Sequence, residues 1–191
     1  ITDVLINTHY LREPVAEFIK QNNRKGGVIL HEAYEPTLLG SGGTIRDNID
    51  FVENDGSFMV CYADNLTNTD LSEFQAFHAA HDGTLSMALF HTNLPKQCGI
   101  AALDDANRIV EFTEKPEHPK SNLANAGIYI ANKDLFVALE KKTPLDFGKD
   151  VLPLLVGHMY GWEDKDYLID IGTMENYQKA QVEWAMIQRT L

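Results

Sequence analysis

Short apolar runs and amphipathic stretches alternate along most of the chain. Apolar runs predict β-strands at residues 4–7, 27–32, 57–63, 84–90, 127–131 and 167–169. Apolar residues at helical spacing predict α-helices at residues 11–22, 70–81 and 133–140, and from residue 173 onward. Two further runs, 99–103 and 108–113, flank a polar turn and predict a β-hairpin. This alternation indicates a single α/β domain with a mixed sheet over residues 1–191.

The same pattern predicts how some of these elements are covered and capped. The run 57–63 is continuously apolar, which is typical of a strand covered on both faces in a parallel sheet. Asp70 can cap the predicted helix 70–81, and Glu73 lies three residues after Asp70, as in a variant of the capping box. The last helix carries an apolar stripe that either packs in the core or forms an interface in a homo-oligomer. The stripe consists of Tyr177, Ala180, Trp184, Ile187 and Leu191.

The net charge excludes some classes of function. The chain has 191 residues and a mass of 21.5 kDa, and 16 Lys and Arg against 28 Asp and Glu give a formal net charge of −12. Binding to nucleic acid through a basic face needs clustered Lys and Arg, and docking on an anionic membrane needs the same. No apolar run approaches the roughly 20 residues of a transmembrane helix. The two cysteines form no disulfide framework, which predicts a cytoplasmic location.

Two aspartates follow predicted strands. Asp64 comes after the run 57–63, and Asp170 comes after the run 167–169. In an open α/β sheet, ligands bind outside the carboxyl ends of the strands. If the two strands are neighbours, the two carboxylates can share one Mg²⁺, which binds carboxylate oxygens together with substrate phosphates and water. The alternative is that each aspartate caps the turn that follows it.

A glycine-rich segment precedes a short predicted helix that ends near residue 49. It consists of Leu39, Gly40, Ser41, Gly42 and Gly43, followed by Thr44. Glycines let a backbone approach a ligand closely, and a helix N-terminus favours an anion. The segment matches neither the Walker loop nor the Rossmann fingerprint. A ligand-binding loop and a plain flexible turn are therefore both consistent with it.

The hairpin and the strand after it carry further candidates. Glu114 and Lys115 precede Pro116. They are either charges of a solvated turn, or a carboxylate for sugar hydroxyls beside an amine for a phosphate. Asn125 and Gly127 come at the start of the next strand, where a glycine either admits a ligand or marks a β-bulge.

Other nucleophiles and metal ligands form no recognisable set. His78 and His81 lie three residues apart on a predicted helix, which differs from the four-residue spacing of metalloproteases, and we interpret them as surface or boundary residues. No G-x-S-x-G nucleophile elbow occurs. The sequence therefore gives no support to a zinc protease or a serine hydrolase.

Six short segments, taken in order, resemble one family. They are LGSGGTI from Leu39, YADNL from Tyr62, EKP from Glu114, NAGIYI from Asn125, DFGKDVLPLL from Asp146 and IDIGTMENY from Ile169. Together they resemble the nucleotidyltransferases that make nucleotide sugars from sugar 1-phosphates, over residues 4 to about 180. The resemblance implies a Rossmann-like three-layer α/β sandwich whose sheet is mixed and mostly parallel.

The resemblance also implies a metal-assisted reaction. A phosphate oxygen of the sugar 1-phosphate attacks the α-phosphorus of a nucleoside triphosphate, and pyrophosphate leaves in line. By this resemblance, Asp64 and Asp170 bind the cofactor Mg²⁺ and act in catalysis. The nucleotide lies against the segment formed by Leu39, Gly40, Ser41, Gly42 and Gly43.

The sugar 1-phosphate is assigned to other residues by the same resemblance. Lys115 holds the sugar phosphate and is a catalytic candidate, and Glu114 holds the sugar hydroxyls. Gly99 lies near the sugar, and Asn125 contacts it. The metal and one or two lysines then supply local positive charge to a site in an otherwise acidic chain.

The chain departs from the family pattern at its start. The family opens with a strand, a G-x-G-x-R-L loop that grips the triphosphate, and a downstream Lys-Pro, and these 191 residues contain no such motif. The chain starts at what matches the second strand of the family. We therefore expect the 191-residue polypeptide by itself to be inactive or nearly so, and the addition of a missing βα unit to restore turnover.

The nucleobase and two other functions remain open at this point. The segment LGSGG is most similar to the guanylyl branch of the family, which uses mannose or heptose 1-phosphates, and this predicts GTP. A GT-A-type glycosyltransferase also binds a nucleotide sugar through a metal, but it needs an Asp-x-Asp, and Leu66 stands at the second carboxylate position. A non-catalytic subunit that binds nucleotide sugar would share the fold without turnover.

Overall fold

The computed structural model of the chain describes residues 1–52, 56–137, 139 and 141–188. The strands are β1 (Asp3–Thr8), β2 (Ile29–Tyr34), β3 (Ser57–Cys61), β4 (Asn65–Thr67), β5 (Leu85–His91), β6 (Gly99–Leu103), β7 (Ile109–Glu114), β8 (Leu123–Asn132), β9 (Met159–Glu163) and β10 (Leu168–Asp170). The α-helices are α1 (Arg12–Asn23), α2 (Ser41–Asp47), α3 (Leu71–Ala79), α4 (Lys133–Val137) and α5 (Met174–Ile187). Helices and strands follow each other in the predicted order, which confirms the α/β class.

These elements divide into two units. The first comprises Ile1–Gly56 and Lys133–Val151, and the second comprises Ser57–Asn132 and Leu152–Leu191. The prediction of one domain over residues 1–191 is not decided by this division and stays a prediction.

In the first unit, α1 connects two parallel strands. β1 pairs with β2 along its whole length, and a helix is the usual connection between parallel neighbours. Ile19 is buried and forms the inner side of α1. The side chain of Asn23, at the end of the helix, accepts from the N–H of Leu30 across 2.9 Å and donates to its carbonyl across 2.8 Å. These contacts dock the end of α1 on the start of β2.

Helix α2 begins earlier in the chain than the sequence predicts. Ser41, Gly42 and Gly43 form its first turn, whereas the loop was expected to extend through residue 44. Glycine disfavours helix interiors, so the sequence pattern gives no helical signal there. The predicted helix 133–140 is present as α4 (Lys133–Val137), and residues 138 and 140 of that prediction lie outside the described residues.

The second unit is built around the long strand β8. One edge of β8 pairs with β5, and the other edge pairs with β6 near its start and with β3 toward its end, all antiparallel. β7 extends the sheet from β6 as the predicted hairpin, and β9 pairs with β5 in parallel. The sheet is therefore mixed, as predicted.

This sheet has fewer parallel pairs than the resemblance implied. Among the described strand pairs of the second unit, β5 with β9 is the parallel one. The run 57–63 forms β3, which is half-buried and antiparallel to β8, so the expectation of a strand covered on both faces in a parallel sheet is wrong. Parallel neighbours need long crossover connections, and the turns around β6, β7 and β8 are short.

Helix α3 covers part of this sheet. Phe74 is fully buried and its ring stacks on Trp162 with the ring centroids 5.2 Å apart. The predicted cap is confirmed, because the Asp70 carboxylate accepts from the N–H groups of Ser72 and Glu73 at 2.8 and 3.2 Å. Such a cap contributes about 1 kcal/mol. The core residues around Phe74 are Ala88, Ala126, Ile128 and Ile130.

His78 and His81 belong to a chain of hydrogen bonds inside the second unit. Nδ1 of His78 and Nε2 of His81 each lie 2.8 Å from the hydroxyl of Ser86. Nε2 of His78 lies 3.3 Å from Oδ1 of Asn132, and the N–H of Gly83 donates to Nδ1 of His81 across 3.0 Å. Each contact has one donor when both rings are neutral. His78 is 9% exposed, so the interpretation as a surface or boundary residue is wrong for it, whereas His81 is half-buried, as expected of a boundary residue.

The last helix, α5, begins where predicted. The hydroxyl of Thr173 accepts from the N–H of Asn176 across 3.2 Å and caps the helix. Of the predicted apolar stripe, Ala180 is buried, Tyr177 is 46% exposed, and Leu191 lies outside the described residues. In the described part of the chain, no helix is both long and apolar enough to cross a membrane.

Candidate active site

A short antiparallel ladder, β4 with β10, brings Asp64 and Asp170 together. Asp170, the last residue of β10, pairs with Asn65, the first residue of β4. The backbone N–H of Ile171 donates to the carbonyl oxygen of Asp64 across 2.7 Å. From the sequence, a meeting of the two carboxylates is expected only if the strands that precede them are neighbours. The structure achieves it through β4, a three-residue strand that the pattern did not predict.

Gly172 leaves a space beside the two carboxylates. A Cβ on Gly172 would lie 2.9 Å from Oδ1 of Asp170 and 3.5 Å from Oδ2 of Asp64. Oδ1 of Asp170 also accepts from the N–H of Gly172 across 2.7 Å, so the turn-capping interpretation holds for this oxygen. Two exposed carboxylates that face one small space repel each other, and a cation between them relieves that repulsion.

The carboxylate pair fits a Mg²⁺ ion. Enzymes usually hold Mg²⁺ with one or two carboxylates, and substrate phosphates and water complete its coordination. Asp64 and Asp170 supply two such ligands. In the described residues, no group of three or more His, Cys, Asp or Glu side chains is placed to hold a metal. The cofactor itself stays a prediction.

Gly99 lies beneath the carboxylate of Glu114. The two residues are opposite each other in the ladder of β6 with β7. A Cβ on Gly99 would lie 2.6 Å from Oε2 of Glu114 and 2.6 Å from Cζ of Phe112. Since real Cβ atoms do not approach so closely, Glu114 keeps this position because residue 99 is glycine.

Lys115 has an unusual backbone conformation. Its φ is 49°, in the left-handed region, which costs a non-glycine residue roughly 1–2 kcal/mol. Its N–H donates to the carbonyl oxygen of Cys98 across 3.0 Å, and β7 ends just before it, at Glu114. Strained backbone of this kind concentrates at functional sites, where the surrounding structure holds it in place.

The thiol of Cys98 is influenced by charges at the hairpin end and by the charge of Asp170. Burial raises the pKa of Cys98, and the negative charges of Glu114 and Asp170 raise it further. A hydrogen bond with Thr92 and the positive charge of Lys115 lower this pKa. Asp170, Glu114 and Lys115 are therefore all within electrostatic reach of one side chain. A predicted metal ligand and two predicted sugar-phosphate residues thus act on the same thiol.

Asn125 is held at both ends of its side-chain amide. Oδ1 accepts from the N–H of Gly127 across 2.9 Å, and Nδ2 donates to the hydroxyl of Tyr129 across 2.6 Å. The orientation of the amide is thereby fixed. These two bonds leave one N–H and one lone pair of the amide for a sugar hydroxyl, which both donates and accepts.

A β-bulge follows Asn125. The register of β8 against β5 shifts between Met87 and Leu89, opposite the part of β8 that contains Gly127. Of the two interpretations of Gly127, the structure supports the bulge. The Asn65 amide donates to the carbonyl oxygen of Ala126 across 2.7 Å, so this bulge is attached to the residue that follows Asp64.

In the first unit, the backbone of Leu145 fixes the glycine-rich segment. The N–H groups of Gly42 and Gly43 donate to the carbonyl oxygen of Leu145 at 2.9 and 3.1 Å. The N–H of Leu145 donates to the carbonyl oxygen of Leu39 at 2.8 Å. Gly40 has a φ of 78°, and a Cβ there would lie 2.5 Å from the Leu145 oxygen. The interpretation as a plain flexible turn is therefore wrong. The N–H donors of Gly42 and Gly43 are used inside the unit rather than presented to an anion.

The predicted site residues fall into two sets. Asp64, Gly99, Glu114, Lys115, Asn125 and Asp170 lie in the second unit, and Leu39, Gly40, Ser41, Gly42 and Gly43 lie in the first. The sequence did not single out Tyr129, which holds Asn125, or Leu145, which holds the glycine-rich segment. Tyr129 lies within the NAGIYI motif, and Leu145 directly precedes the DFGKDVLPLL motif. The signal was thus present, but only as membership of a motif or proximity to one.

Comparison with known proteins decides the family. Residues 1–186 match the family model described as Nucleotidyl transferase. The chain belongs to the nucleotidyl transferase family. This confirms the resemblance that the six sequence motifs indicated.

Members of the family are similar to this chain over most of its length. A glucose-1-phosphate adenylyltransferase of Lachnospira eligens is 30% identical over 174 residues, which are 83% of this chain and 41% of that protein. A mannose-1-phosphate guanyltransferase of Saccharomyces cerevisiae is 28% identical over 187 residues, 95% of this chain and 52% of that protein. The chain thus spans about half the length of these curated relatives, or less.

A solved structure has the same fold. HddC from Yersinia pseudotuberculosis, complexed with GMP-PN, matches with a TM-score of 0.80 at 22% sequence identity. The match covers 96% of this chain and 79% of that one. It confirms the α/β architecture with a mixed sheet.

Proposed function

We propose that the protein containing this chain transfers a nucleotidyl group from a nucleoside triphosphate to a sugar 1-phosphate and releases pyrophosphate. The observation that carries this proposal is the pair of Asp64 and Asp170 around Gly172, and the charges of Asp170 and Lys115 both act on the thiol of Cys98. Two carboxylates for a cation beside an ammonium group for a phosphate complement a metal-bound phosphate substrate. Family membership supports the same activity.

In this proposal, the site binds the phosphates of both substrates and neutralises their charge. Mg²⁺ held by Asp64 and Asp170 would neutralise charge on the phosphates. Lys115 donates to the phosphate of the sugar substrate and limits its movement. Restricting the attacking oxygen to a position in line with the α-phosphorus supplies most of the catalysis in phosphoryl-type transfers.

The sugar is bound by acceptors and donors on the hairpin and on β8. Glu114, placed by Gly99, accepts from sugar hydroxyls. The Asn125 amide, whose orientation is fixed, offers one donor and one acceptor to the sugar. Half-buried polar groups such as Glu114 and Asn125 discriminate well between sugars. A sugar that lacks the matching hydroxyl would leave these groups without a hydrogen-bond partner.

The glycine-rich segment is proposed to lie against the nucleobase rather than the phosphates. Its N–H groups at Gly42 and Gly43 are occupied by Leu145, so they offer no cradle for an anion. The glycines keep its surface free of side chains, which lets a planar base approach the backbone.

GTP is our first candidate for the nucleotide, with a mannose- or heptose-type sugar 1-phosphate. The similarity of LGSGG to the guanylyl branch supports this choice. The Saccharomyces relative is named a guanyltransferase and HddC was solved with GMP-PN. ATP is the second candidate, since the Lachnospira relative is named an adenylyltransferase.

The two cysteines of the chain are free, which agrees with a reducing cytoplasm.

A pyrophosphate-release assay tests the proposal. The full gene product is incubated with Mg²⁺, with GTP, ATP, UTP or dTTP, and with a panel of sugar 1-phosphates. We expect release that needs both substrates and that falls about 100-fold or more in Asp64→Asn, as when one charge-stabilising group is removed. Asp105→Asn, in the exposed turn of the hairpin, is the matched control and should release pyrophosphate at the wild-type rate.

The opposite result is also informative. A folded full-length protein that releases no pyrophosphate with any pair would overturn the transferase proposal, and binding without turnover would indicate a non-catalytic subunit. The same assay on the 191-residue polypeptide tests the expectation that it has little or no activity by itself.

A further inference from the structure

Glu35 is a buried carboxylate just beyond the end of β2. Its exposure is 3%. Burial of an ionised carboxylate is unfavourable unless hydrogen bonds replace the water it loses. Oε1 accepts from the hydroxyl of Thr44 across 2.5 Å, and Oε2 accepts from the backbone N–H of Leu39 across 3.3 Å. Both oxygens are thus satisfied by the stretch of chain that follows Glu35.

These two donors bracket the glycine-rich segment. Leu39 is its first residue, and Thr44 comes directly after its last. The backbone of Glu35 is itself anchored, because its N–H donates to the carbonyl oxygen of Thr8 across 2.8 Å and its own carbonyl lies 2.7 Å from Nδ1 of His9. The carboxylate therefore ties both ends of the segment to the end of the β1–β2 pair.

The contacts of Glu35 differ from those of Leu145. Leu145 binds the N–H groups of Gly42 and Gly43 and the carbonyl oxygen of Leu39. Glu35 binds the N–H of Leu39 and the side chain of Thr44. If the bonds of Glu35 are lost, the segment is still attached to Leu145 through Leu39, Gly42 and Gly43, while the N–H of Leu39 and the hydroxyl of Thr44 lose their acceptor. A change of shape in the segment is then expected without general unfolding.

We propose that Glu35 is a positioning residue for the nucleotide, which holds Leu39 and Thr44 so that the glycine-rich segment keeps the shape that receives the base. This role rests on the proposed function for its assignment of the segment to the nucleotide. The two hydrogen bonds from Leu39 and Thr44 to Glu35 are observed independently of that assignment. Glu35 is not a catalytic residue, since it acts through the segment.

The chain offers a graded set of variants. Thr44→Val keeps the shape of the side chain and removes its hydroxyl, whereas Thr44→Ser keeps the hydroxyl. Glu35→Ala removes both contacts. Glu35→Gln can keep both, because its carbonyl accepts from Leu39 and its amide N–H donates to the Thr44 hydroxyl. Glu32→Ala is the matched control, since Glu32 lies three residues earlier, on β2, and bonds Thr8 and Arg12 instead.

Nucleotide binding is the principal readout. The full-length variants are titrated with GTP and with ATP in the presence of Mg²⁺, and KM and kcat are measured for both substrates. We expect Thr44→Val and Glu35→Ala to raise the Kd and KM for the nucleotide about tenfold, the size expected for one hydrogen bond to a charged group. The kcat and the KM for the sugar 1-phosphate should stay within about twofold, as for lost uniform binding. Thr44→Ser, Glu35→Gln and Glu32→Ala should stay within about threefold of the wild type in every constant.

Hydrogen exchange gives a readout that needs no substrate. The amide of Leu39 should exchange faster in Glu35→Ala than in the wild type and in Glu32→Ala, because its acceptor is gone.

The outcomes separate this role from the proposed function. A wild type that binds nucleotide, with an unchanged Kd in Thr44→Val, would overturn the role of Glu35 and leave the proposed function standing. A wild type that binds neither GTP nor ATP nor any other nucleoside triphosphate would overturn both. If Glu35→Ala fails to fold, the isosteric Thr44→Val decides.

Discussion

The amide of Asn125 donates a 2.6 Å hydrogen bond to the hydroxyl of Tyr129. Tyr129 has no exposed surface, and this burial holds the pKa of its hydroxyl well above its usual value, with Tyr62 adding to the rise. The hydroxyl is therefore neutral throughout the physiological pH range. A side chain remote from solvent thus orients one that the proposed function places against the sugar.

Tyr129→Phe should weaken sugar binding. Loss of one neutral hydrogen bond removes about 0.5–1.5 kcal/mol and lets the Asn125 amide rotate. We expect the KM for the sugar 1-phosphate to rise roughly two- to tenfold, with little change in the KM for the nucleotide, in the pyrophosphate assay. Tyr160→Phe is the control, because it removes a buried hydroxyl that bonds Arg108 in the same unit. Equal KM values in Tyr129→Phe and the control would contradict the role of Tyr129.

Gly172→Ala should change the requirement for Mg²⁺. The added Cβ would lie 2.9 Å from Oδ1 of Asp170, so that carboxylate must move. Disturbing the setting of a metal ligand typically costs about 10–100-fold in metal affinity. We expect the Mg²⁺ concentration for half-maximal activity to rise at least about tenfold, and excess Mg²⁺ to restore most of the rate. Thr173→Ser, which keeps the cap of α5, serves as the control. An unaltered Mg²⁺ dependence in Gly172→Ala would place the cation elsewhere.

His78 and His81, in the second unit, should make stability depend on pH. Burial lowers the pKa of His78, and a hydrogen bond with Asn132 partly opposes this. Burial and the neighbouring His78 lower the pKa of His81, while Asp82 raises it. In the unfolded chain both groups return to a pKa of about 6.5. Below that pH the unfolded state binds more protons than the folded state, so the free energy of unfolding decreases as the pH falls.

Urea unfolding between pH 8 and pH 5 measures this dependence. The contribution of His78 and His81 to the free energy of unfolding should be fully present above about pH 6.5 and should decline below that pH. His81→Gln should flatten the decline, because one of the two titrating groups is gone. His118→Gln, which replaces an exposed histidine, should leave the wild-type profile unchanged. A decline of equal slope in His81→Gln and the wild type would contradict the assignment.

Elements with long regular patterns could be predicted from the sequence. The helices α1 and α3 and the hairpin of β6 with β7 lie within one or two residues of their predicted positions. The strands β4 and β9 could not be predicted. β4 has three residues, too few for any periodicity, and Gly161 interrupts the short apolar pattern of β9. Their existence depends on pairing with β10 and β5, which a local pattern does not reveal.

Candidate site residues could be named from the sequence, but the contacts that position them could not. Asp64 and Asp170 could be named from the motifs that contain them, whereas the short ladder that joins them could not be predicted. The roles of Glu35 and Leu145 depend on hydrogen bonds to the glycine-rich segment, and Leu145 lies about a hundred residues away from it. Such contacts impose no spacing on the sequence, so no periodicity marks them.

Gly40 should be the least replaceable residue of the glycine-rich segment. Its φ of 78° and ψ of 157° lie in a region that other residues occupy at a cost of about 1–3 kcal/mol. A Cβ would also lie 2.5 Å from the carbonyl oxygen of Leu145. We expect Gly40→Ala to lower the free energy of unfolding by at least about 1–3 kcal/mol in urea denaturation, and to weaken nucleotide binding in the full-length protein.

Gly43→Ala is the matched control for this prediction. Gly43 lies in the first turn of α2 without a positive φ, and a Cβ there would meet Cβ of Leu39 at 3.1 Å, a tight contact that a small shift relieves. Alanine also favours a helix over glycine by about 1 kcal/mol, which offsets that contact. The two substitutions add the same methyl group to neighbouring parts of one segment. Equal loss of stability in both would therefore contradict the claim that backbone conformation and the approach of Leu145 require glycine at position 40.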